Sequence, residues 1–221
     1  MVMPDLSEWV VVFDLDDMLY HEDDYNKSGV IAVADELVRL YGQDIKEQLL
    51  DVRESKGDVW GSACESLSLP VAVKDSLLWL YRLHRPEIEL EQHVKHVVRE
   101  VASLARQVVI LTDGRSITQR MKLASLGLMD FPVYISEEHS SAKPEELRFR
   151  LIMTDYPAGK YVYIADNPAK DFVAPNRLGW KTIGVRDSGR NVHSQSVNGL
   201  ADEYLPDVWV SELEGAVEHL C

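Results

Sequence analysis

An apolar segment that ends in acidic residues constrains the fold more than any other part of this sequence. Residues 10–13 read VVVF, and Asp14, Asp16 and Asp17 follow immediately. A continuous apolar run rich in β-branched residues is typical of a strand buried on both faces of a parallel sheet. Carboxylates at the end of such a strand lie where open parallel sheets bind their ligands. The sequence therefore predicts a parallel sheet with a polar site at its carboxyl edge.

Five more segments have the composition of strands, and helical patterns lie between them. The predicted strands are residues 107–114, 132–138, 160–167, 180–187 and 201–205. Helices are predicted over residues 116–128, 143–156 and 167–179. Strands that alternate with helices are typical of crossover units in a parallel sheet.

Local signals define two of these helices further. The first has Ser116 as its predicted N-cap and Gly127 near its end. Its apolar residues recur at helical spacing, at Ile117, Met121, Ala124 and Leu128. In the second helix, Pro144 is predicted to be the first helical residue.

Helical periodicity alone fills the region between the first two predicted strands. Four amphipathic helices are predicted there, over residues 29–42, 44–57, 73–84 and 89–105. An all-helical block therefore interrupts the α/β domain after its first strand. The 221 residues suffice for a core domain of this kind with an inserted one.

The acidic composition excludes several classes of partner. The formal net charge is −14, whereas nucleic acids and anionic membranes bind proteins with a positive field. We therefore expect no nucleic-acid or membrane partner, and an anionic substrate would need local positive charge. The oligomeric state is left open.

The chain carries no pattern of a secreted or membrane protein. Its first residues lack the basic and apolar regions of a signal peptide, and no apolar run reaches about 18 residues. Cys64 and Cys221 do not make a disulfide framework, although a single bridge stays possible. We expect a cytoplasmic protein.

Chemically versatile side chains follow successive predicted strands. They are Asp14 and Asp16 after the first, Thr112, Asp113 and Gly114 after the second, Lys143 after the third, and Asp166, Asn167 and Asp171 after the fourth. Because the carboxyl ends of parallel strands meet at one edge, these residues are expected to converge.

Four short motifs, taken in this order, resemble those of the haloacid dehalogenase-like hydrolases. They are FDLDDMLY at 13–20, VVILTDGR at 108–115, Lys143 within SSAKPEE, and YIADNPAKD at 163–171. The resemblance covers essentially the whole chain and implies an α/β, Rossmann-like parallel-sheet core formed by residues 1–20 and 105–221. Residues 21–104 would then be an inserted all-helical cap domain.

The resemblance also implies site roles and a reaction. Asp14 would be the nucleophile. Asp16 would be the general acid and base, and its pKa is expected to be raised. Lys143 would offset the negative charge of the nucleophile and of the phosphate. Thr112, Asp113, Gly114 and Lys143 would bind phosphate, with Asp171 and Asn167 behind them. Mg²⁺ would be held by the side chains of Asp14 and Asp166 and by the backbone carbonyl of Asp16. This cation usually binds through one or two carboxylates together with the substrate phosphate. The expected activity is that of a phosphatase, which hydrolyses the phosphate ester of a small metabolite. A sugar phosphate is the expected substrate.

Alternatives stay open at this point. The family usually has Thr where this chain has Met18. Because of this difference, a catalytically weak or inactive binding module remains an alternative. A phosphomutase would use the same nucleophile and acid. Dehalogenation is disfavoured, because members with that activity generally lack the second aspartate, here Asp16. The polar segment 186–199 could line the pocket, with Arg186, Arg190 and His193 as candidate substrate contacts.

Overall fold

A six-stranded sheet forms the centre of the molecule in the computed structural model, which describes residues 5–220. The strands are β1 (Trp9–Phe13), β2 (Gln107–Thr112), β3 (Val133–Ile135), β4 (Lys160–Ala165), β5 (Lys181–Val185) and β6 (Val208–Val210). Their order is β3-β2-β1-β4-β5-β6, and all neighbours run parallel. The predicted α/β, Rossmann-like fold class is confirmed.

The apolar run that opens the chain forms the middle of this sheet. Val10 and Val12 belong to the hydrophobic cluster on one face, and Val11 and Phe13 belong to the cluster on the other. All four side chains are fully buried. Because both faces are covered, β1 is apolar at every position rather than at alternate ones.

Ten α-helices surround or extend from the described sheet. They are α1 (Glu22–Tyr41), α2 (Lys46–Glu54), α3 (Val59–Ser66), α4 (Lys74–Leu83), α5 (Gln92–Leu104), α6 (Ser116–Leu126), α7 (Ser136–His139), α8 (Leu147–Asp155), α9 (Val173–Arg177) and α10 (Leu213–Glu218). The short α3 is additional to the four helices predicted between β1 and β2. None of the helices within residues 5–220 is long and apolar enough to cross a bilayer.

The helices between β1 and β2 divide by what they pack against. Helices α1 to α4 enclose a hydrophobic cluster of their own, which includes Val33, Leu37, Leu49 and Leu77. The buried valines of α5, in contrast, join the cluster on the sheet. We propose that the inserted helical unit ends after α4, earlier than the predicted boundary at residue 104.

Cys64 lies buried in the cluster of the helical unit as a free thiol. Its predicted optional partner, Cys221, lies outside the described residues.

Three local predictions are wrong. Residues 201–205 do not form a strand, because a 3₁₀ turn occupies Asp202–Tyr204 and the sixth strand is β6, three residues further on. Helix α8 begins at Leu147 rather than Pro144. Helix α6 has Arg115 as its N-cap, and Ser116 is already helical.

The buried side of α6 differs from its apolar stripe. Its buried residues are Gln119, Lys122, Leu123 and Leu126, whereas Ile117 is 61% exposed. Gly127 ends the helix in the left-handed conformation, as predicted. The polar half of the buried face lies toward the carboxyl edge of the sheet, where it meets the candidate site.

Candidate active site at the carboxyl edge of the sheet

A polar cleft of about 160 Å³ opens where the central strands end. The lining residues are Asp14, Asp16, Asp17, Glu22, Thr112, Asp113, Asp166, Asn167, Lys170 and His193. Six of them are residues that the sequence predicted to converge. The convergence follows from strand order, since β1 lies between β2 and β4.

Lys143 links the nucleophile candidate to the acidic residue behind it. Its Nζ lies 2.7 Å from Asp14 Oδ2 and 2.7 Å from Asp171 Oδ1, and it contacts the Tyr163 hydroxyl at 3.1 Å. Burial lowers the pKa of Lys143, but the facing carboxylates outweigh it and hold that pKa well above its usual range. The amine therefore stays protonated and can offset negative charge at Asp14.

Asp171 has a second contact that orients the fourth motif. Its Oδ2 accepts a hydrogen bond of 2.8 Å from the backbone N–H of Asn167. Because Asp171 is fully buried, both of its contacts are shielded from water. Asp171 thus contacts both Lys143 and the turn after β4.

Three buried carboxylates crowd around one point beside Lys143. One oxygen each of Asp14, Asp166 and Asp171 lies within 4.8 Å of the others. Burial, partly offset by Lys143, raises the pKa of Asp14 to about 6, and Asp171 adds to the rise. Burial together with Asp171 and Asp14 raises the pKa of Asp166 to about 8. One lysine does not balance three carboxylates.

This excess of negative charge fits a divalent cation. Mg²⁺ takes oxygen ligands and binds through one or two carboxylates, keeping other positions for water and phosphate. Asp14 and Asp166 are the two members whose pKa values are raised, so they would gain most from a nearby cation. The side chains present therefore fit the predicted Mg²⁺ site.

The Asp16 carboxylate points to a different set of partners. Lys122 Nζ donates to its Oδ1 at 2.7 Å, Gln119 Nε2 donates to its Oδ2 at 2.7 Å, and the Tyr20 hydroxyl also donates to Oδ1. Burial raises the pKa of Asp16, but the charge and hydrogen bond of Lys122, with the other donors, outweigh it and lower that pKa. The predicted raised pKa of Asp16 is wrong for this conformation.

Gln119 ties Asp16 to the second motif. Besides Asp16, its Nε2 contacts Thr112 Oγ1 at 2.9 Å and the Asp113 carbonyl at 2.6 Å. Gly114 adopts a φ of +143°, and a Cβ there would lie 2.8 Å from this same amide nitrogen. Glycine at 114 is therefore needed for Gln119 to reach across the site.

Two of the predicted phosphate-binding residues are engaged with the protein. The Asp113 carboxylate pairs with the fully buried Arg148 and accepts from the Lys143 backbone N–H at 3.2 Å. The Gly114 N–H donates to Ser136 Oγ at 2.9 Å. Thr112 also lines the cleft, and its hydroxyl lies 2.9 Å from Gln119 Nε2.

The segment after β5 closes one side of the cleft. Asn191 Nδ2 donates to Asp166 Oδ2 at 2.8 Å, and the Val192 N–H donates to Asp17 Oδ2 at 2.7 Å. His193 lines the cleft directly. Of the three substrate-contact candidates in this segment, His193 alone is in the cleft lining.

Met18 does not line the cleft. Its side chain is buried in the hydrophobic cluster on the sheet. The departure from the usual Thr therefore removes a hydroxyl at a position whose side chain packs into the core.

Sequence reasoning missed Gln119, Lys122 and Arg148. All three are long polar side chains on helices, and each becomes buried only through partners on other elements. The signal available was the spacing of Gln119 and Lys122, which share a helix face with Leu123 and Leu126.

Comparison with known proteins gives a family and its relatives. The model of the family described as haloacid dehalogenase-like hydrolase matches residues 11–185. The chain is 25% identical over 190 residues to the glyceraldehyde 3-phosphate phosphatase of Methanocaldococcus jannaschii, covering 79% of this chain and 83% of the relative. It is also 25% identical over 225 residues to the ribulose-1,5-bisphosphate 5-phosphatase of Halopiger xanaduensis, covering 89% and 92%.

Solved structures share the fold at lower identity. A HAD-hydrolase of Bacillus subtilis with bound magnesium, YfnB, superposes with a TM-score of 0.64 at 16% identity, covering 97% of this chain and 99% of that one. A HAD phosphatase from Thermococcus onnurineus gives a TM-score of 0.61 at 19% identity, covering 96% and 97%. These likenesses establish the architecture.

Proposed function

The chain belongs to the haloacid dehalogenase-like hydrolases, and from this membership we propose that it is a Mg²⁺-dependent phosphatase of small phosphorylated metabolites. The observation that carries the proposal is the placement of Asp14 at the strand tip, with Lys143 on one of its oxygens and Asp166 close by. The named phosphatase relatives support the same reaction class.

Asp14 is the proposed nucleophile. Its Oδ2 is held by Lys143 and its Oδ1 by the Leu15 N–H at 2.9 Å, so the carboxylate has a fixed orientation in the cleft. An oxygen of Asp14 forms a bond to phosphorus while the bond from phosphorus to the leaving-group oxygen breaks. Lys143 offsets the charge that accumulates on the nucleophile and on the phosphoryl oxygens.

Asp16 is the proposed proton carrier. It gives a proton to the departing oxygen, then takes one from the water that attacks the aspartyl-phosphate and releases inorganic phosphate. With Lys122 on its Oδ1, Asp16 is ionised, which suits the second of these steps. Before the first step Asp16 must leave Lys122 and take up a proton from solvent, and it then donates this proton to the leaving oxygen.

Asp14, Asp166 and the Asp16 carbonyl would hold Mg²⁺, which when bound neutralises the negative charge of the phosphate group. Thr112 would orient the phosphoryl oxygens from the floor of the cleft. Asp171 and Asn167 keep Lys143 and the turn after β4 in place.

The expected substrate is a sugar phosphate. Both curated relatives carry the names of sugar-phosphate phosphatases. The helical unit, whose residue Glu22 lines the cleft, would close on this substrate and exclude water from the reacting groups.

The first experiment measures turnover of p-nitrophenyl phosphate with Mg²⁺ and after chelation with EDTA. We expect activity that the chelator removes and added Mg²⁺ restores. Asp14→Asn should abolish turnover while circular dichroism and the melting temperature show a folded protein. A folded wild-type protein without activity on any phosphate ester, or an active Asp14→Asn variant, would refute the proposal.

A further inference from the structure

A second cavity, separate from the catalytic cleft, lies between the helical unit and the segment after β5. Its volume is about 720 Å³. Helices α1 to α4 form most of its wall, and Arg190, Asn191 and Val192 form the side that belongs to the α/β core. Nothing in the proposed reaction so far uses this space.

The cavity is lined by cations in a chain that is strongly acidic. Arg53, Lys56 and Arg190 line it, against the two carboxylates of Asp23 and Glu54. The whole chain has a net charge of −14. A locally positive lining therefore runs against the overall composition, and it is the local positive charge that an anionic ligand would need.

Arg53 has a donor with no acceptor in the protein. Its side chain is 15% exposed, and its Nη2 is bound by the Asp23 carboxylate and by the Asp23 carbonyl at 3.0 Å. Its Nε is enclosed and forms no hydrogen bond within residues 5–220. Enclosed donors in proteins are nearly always paired with protein or water, so this N–H is available to an acceptor that enters the cavity.

Lys56 carries a free charge. Its backbone N–H is bound by the Arg53 carbonyl at 2.9 Å, which fixes the residue at the end of α2. Its amine forms no ion pair with any carboxylate of the described chain. Arg190 differs, because its guanidinium is already bound by Asp24 at 2.9 Å.

Aromatic side chains supply the other part of the wall. Trp60 and Tyr81 pack with ring centroids 5.4 Å apart, and Tyr81 is fixed by a hydrogen bond of 2.5 Å from its hydroxyl to Asn26. Organic ligands bind where apolar and aromatic walls cover their carbon atoms and a few polar groups fix their ends. This cavity has both features.

One residue joins the cavity to the catalytic cleft. Asn191 lines the cavity, and its side-chain amide donates to Asp166 Oδ2 at 2.8 Å. On the opposite side, Asp23 lines the cavity and directly follows Glu22, which lines the cleft. The two spaces therefore adjoin at Asn191, and a molecule with its phosphate beside Asp14 would reach Arg53 and Lys56 once the contact from Asn191 to Asp166 is released.

We propose that this cavity binds the leaving-group end of the substrate, and that this end carries a second oxyanion, a carboxylate or a phosphate, held by Arg53 and Lys56. The inference rests on the proposed phosphatase function and makes it narrower. Arginine binds such groups with paired donors and lysine binds them as a point charge. Substrates with a neutral end lack this contact.

The test compares substrates that differ only at this end. The first pair is 3-phosphoglycerate and glycerol 3-phosphate, which differ by a carboxylate in place of a hydroxymethyl group. The second pair is ribulose 1,5-bisphosphate and ribulose 5-phosphate. In at least one pair we expect kcat/KM of the wild-type enzyme to be at least about tenfold higher for the member with the anionic end than for its neutral partner. The pair that shows the preference identifies the carboxylate or the phosphate.

Variants then assign the preference to the cavity. Lys56→Gln should lower kcat/KM for the preferred member about tenfold more than for its neutral partner. Lys56→Arg should retain the preference. The matched control is Lys27→Gln, which removes an exposed lysine of α1 that does not line the cavity.

The outcomes distinguish failure of the proposed subsite from failure of the proposed phosphatase activity. Equal kcat/KM within both pairs, or an equal loss on both members in Lys56→Gln, overturns the subsite while the phosphatase proposal stands. If a folded wild-type protein hydrolyses no ester, the phosphatase proposal fails, and calorimetric binding of 3-phosphoglycerate and glycerol 3-phosphate tests the subsite. Equal affinity for the two compounds, or Lys56-independent affinity, then overturns it.

Discussion

Asp14 and Asp16 lie two residues apart, and each contacts a buried lysine, yet their electrostatic environments are opposite. Asp14 shares Lys143 with Asp171 and lies close to Asp166, so burial and crowding raise its pKa to about 6. Asp16 has Lys122 with two further donors, and these lower its pKa despite burial. The number of carboxylates that share each cation decides the direction.

The comparison indicates a division of labour. The cluster around Asp14 has surplus negative charge and can accept a divalent cation. The cluster around Asp16 pairs that carboxylate with Lys122 within the protein and keeps it ionised. Asp14 and Asp16 follow the same strand, and residues on other elements give the two carboxylates different electrostatic environments.

The largest expected effect comes from removing the cation of the first cluster. Lys143→Met leaves Asp14, Asp171 and Asp166 buried without it, and activity on p-nitrophenyl phosphate should fall by about 10³-fold. Breaking a buried ion pair should also cost about 3–5 kcal/mol in the free energy of unfolding, measured by urea denaturation. Lys160→Met, at an exposed lysine, is the control. An active, equally stable Lys143→Met would contradict the assignment.

The second cluster is tested at Lys122. Lys122→Met removes the charge that lowers the pKa of Asp16, so that pKa should rise. The limb of the pH–rate profile set by Asp16 should move to higher pH by about one unit or more. Lys122→Arg should keep the profile of the wild type. An unmoved limb in Lys122→Met would separate Asp16 from proton transfer.

The pH dependence of stability tests the cluster around Asp14 and Asp166 and requires no activity assay. The pKa of Asp166 is about 8 in the folded protein, because burial and the neighbouring carboxylates raise it from 3.8 in the unfolded chain. The folded state therefore binds more protons, and the metal-free protein should lose stability as pH rises from about 4 to 8. Mg²⁺ should raise the melting temperature by several degrees at pH 8 and by less at pH 5, where protons compete.

Differential scanning fluorimetry with and without Mg²⁺ measures this difference across the pH range. Asp166→Asn should remove most of the Mg²⁺ effect, and the flat response of that variant serves as the control. A Mg²⁺ shift that is larger at pH 5 than at pH 8 would contradict the proposed ligands.

The smallest effect on activity is expected at Met18. Because its side chain packs in the core rather than the cleft, Met18→Thr should change kcat/KM for p-nitrophenyl phosphate by less than about threefold. The polar replacement should lower the free energy of unfolding by about 1–3 kcal/mol. A large gain of activity would instead show that the usual Thr of the family is needed here.

The sequence by itself determined the sheet and the location of the site. The apolar run at β1 and the acids that follow it are local features. A parallel sheet places the carboxyl ends of its strands at one edge, and this does not depend on the conformation of the loops. Lys143 and Asp171 could be placed in the site for the same reason, since they lie in segments that follow β3 and β4.

Only the tertiary structure decided which groups pair. Asp16 turns to Lys122 from a helix more than a hundred positions later, and this contact reverses its predicted pKa shift. The sixth strand, at Val208–Val210, is set by pairing with β5, and the cavity near Arg53 exists only because a core segment meets the helical unit. Burial and charge pairing depend on residues distant in sequence, so local patterns do not encode them.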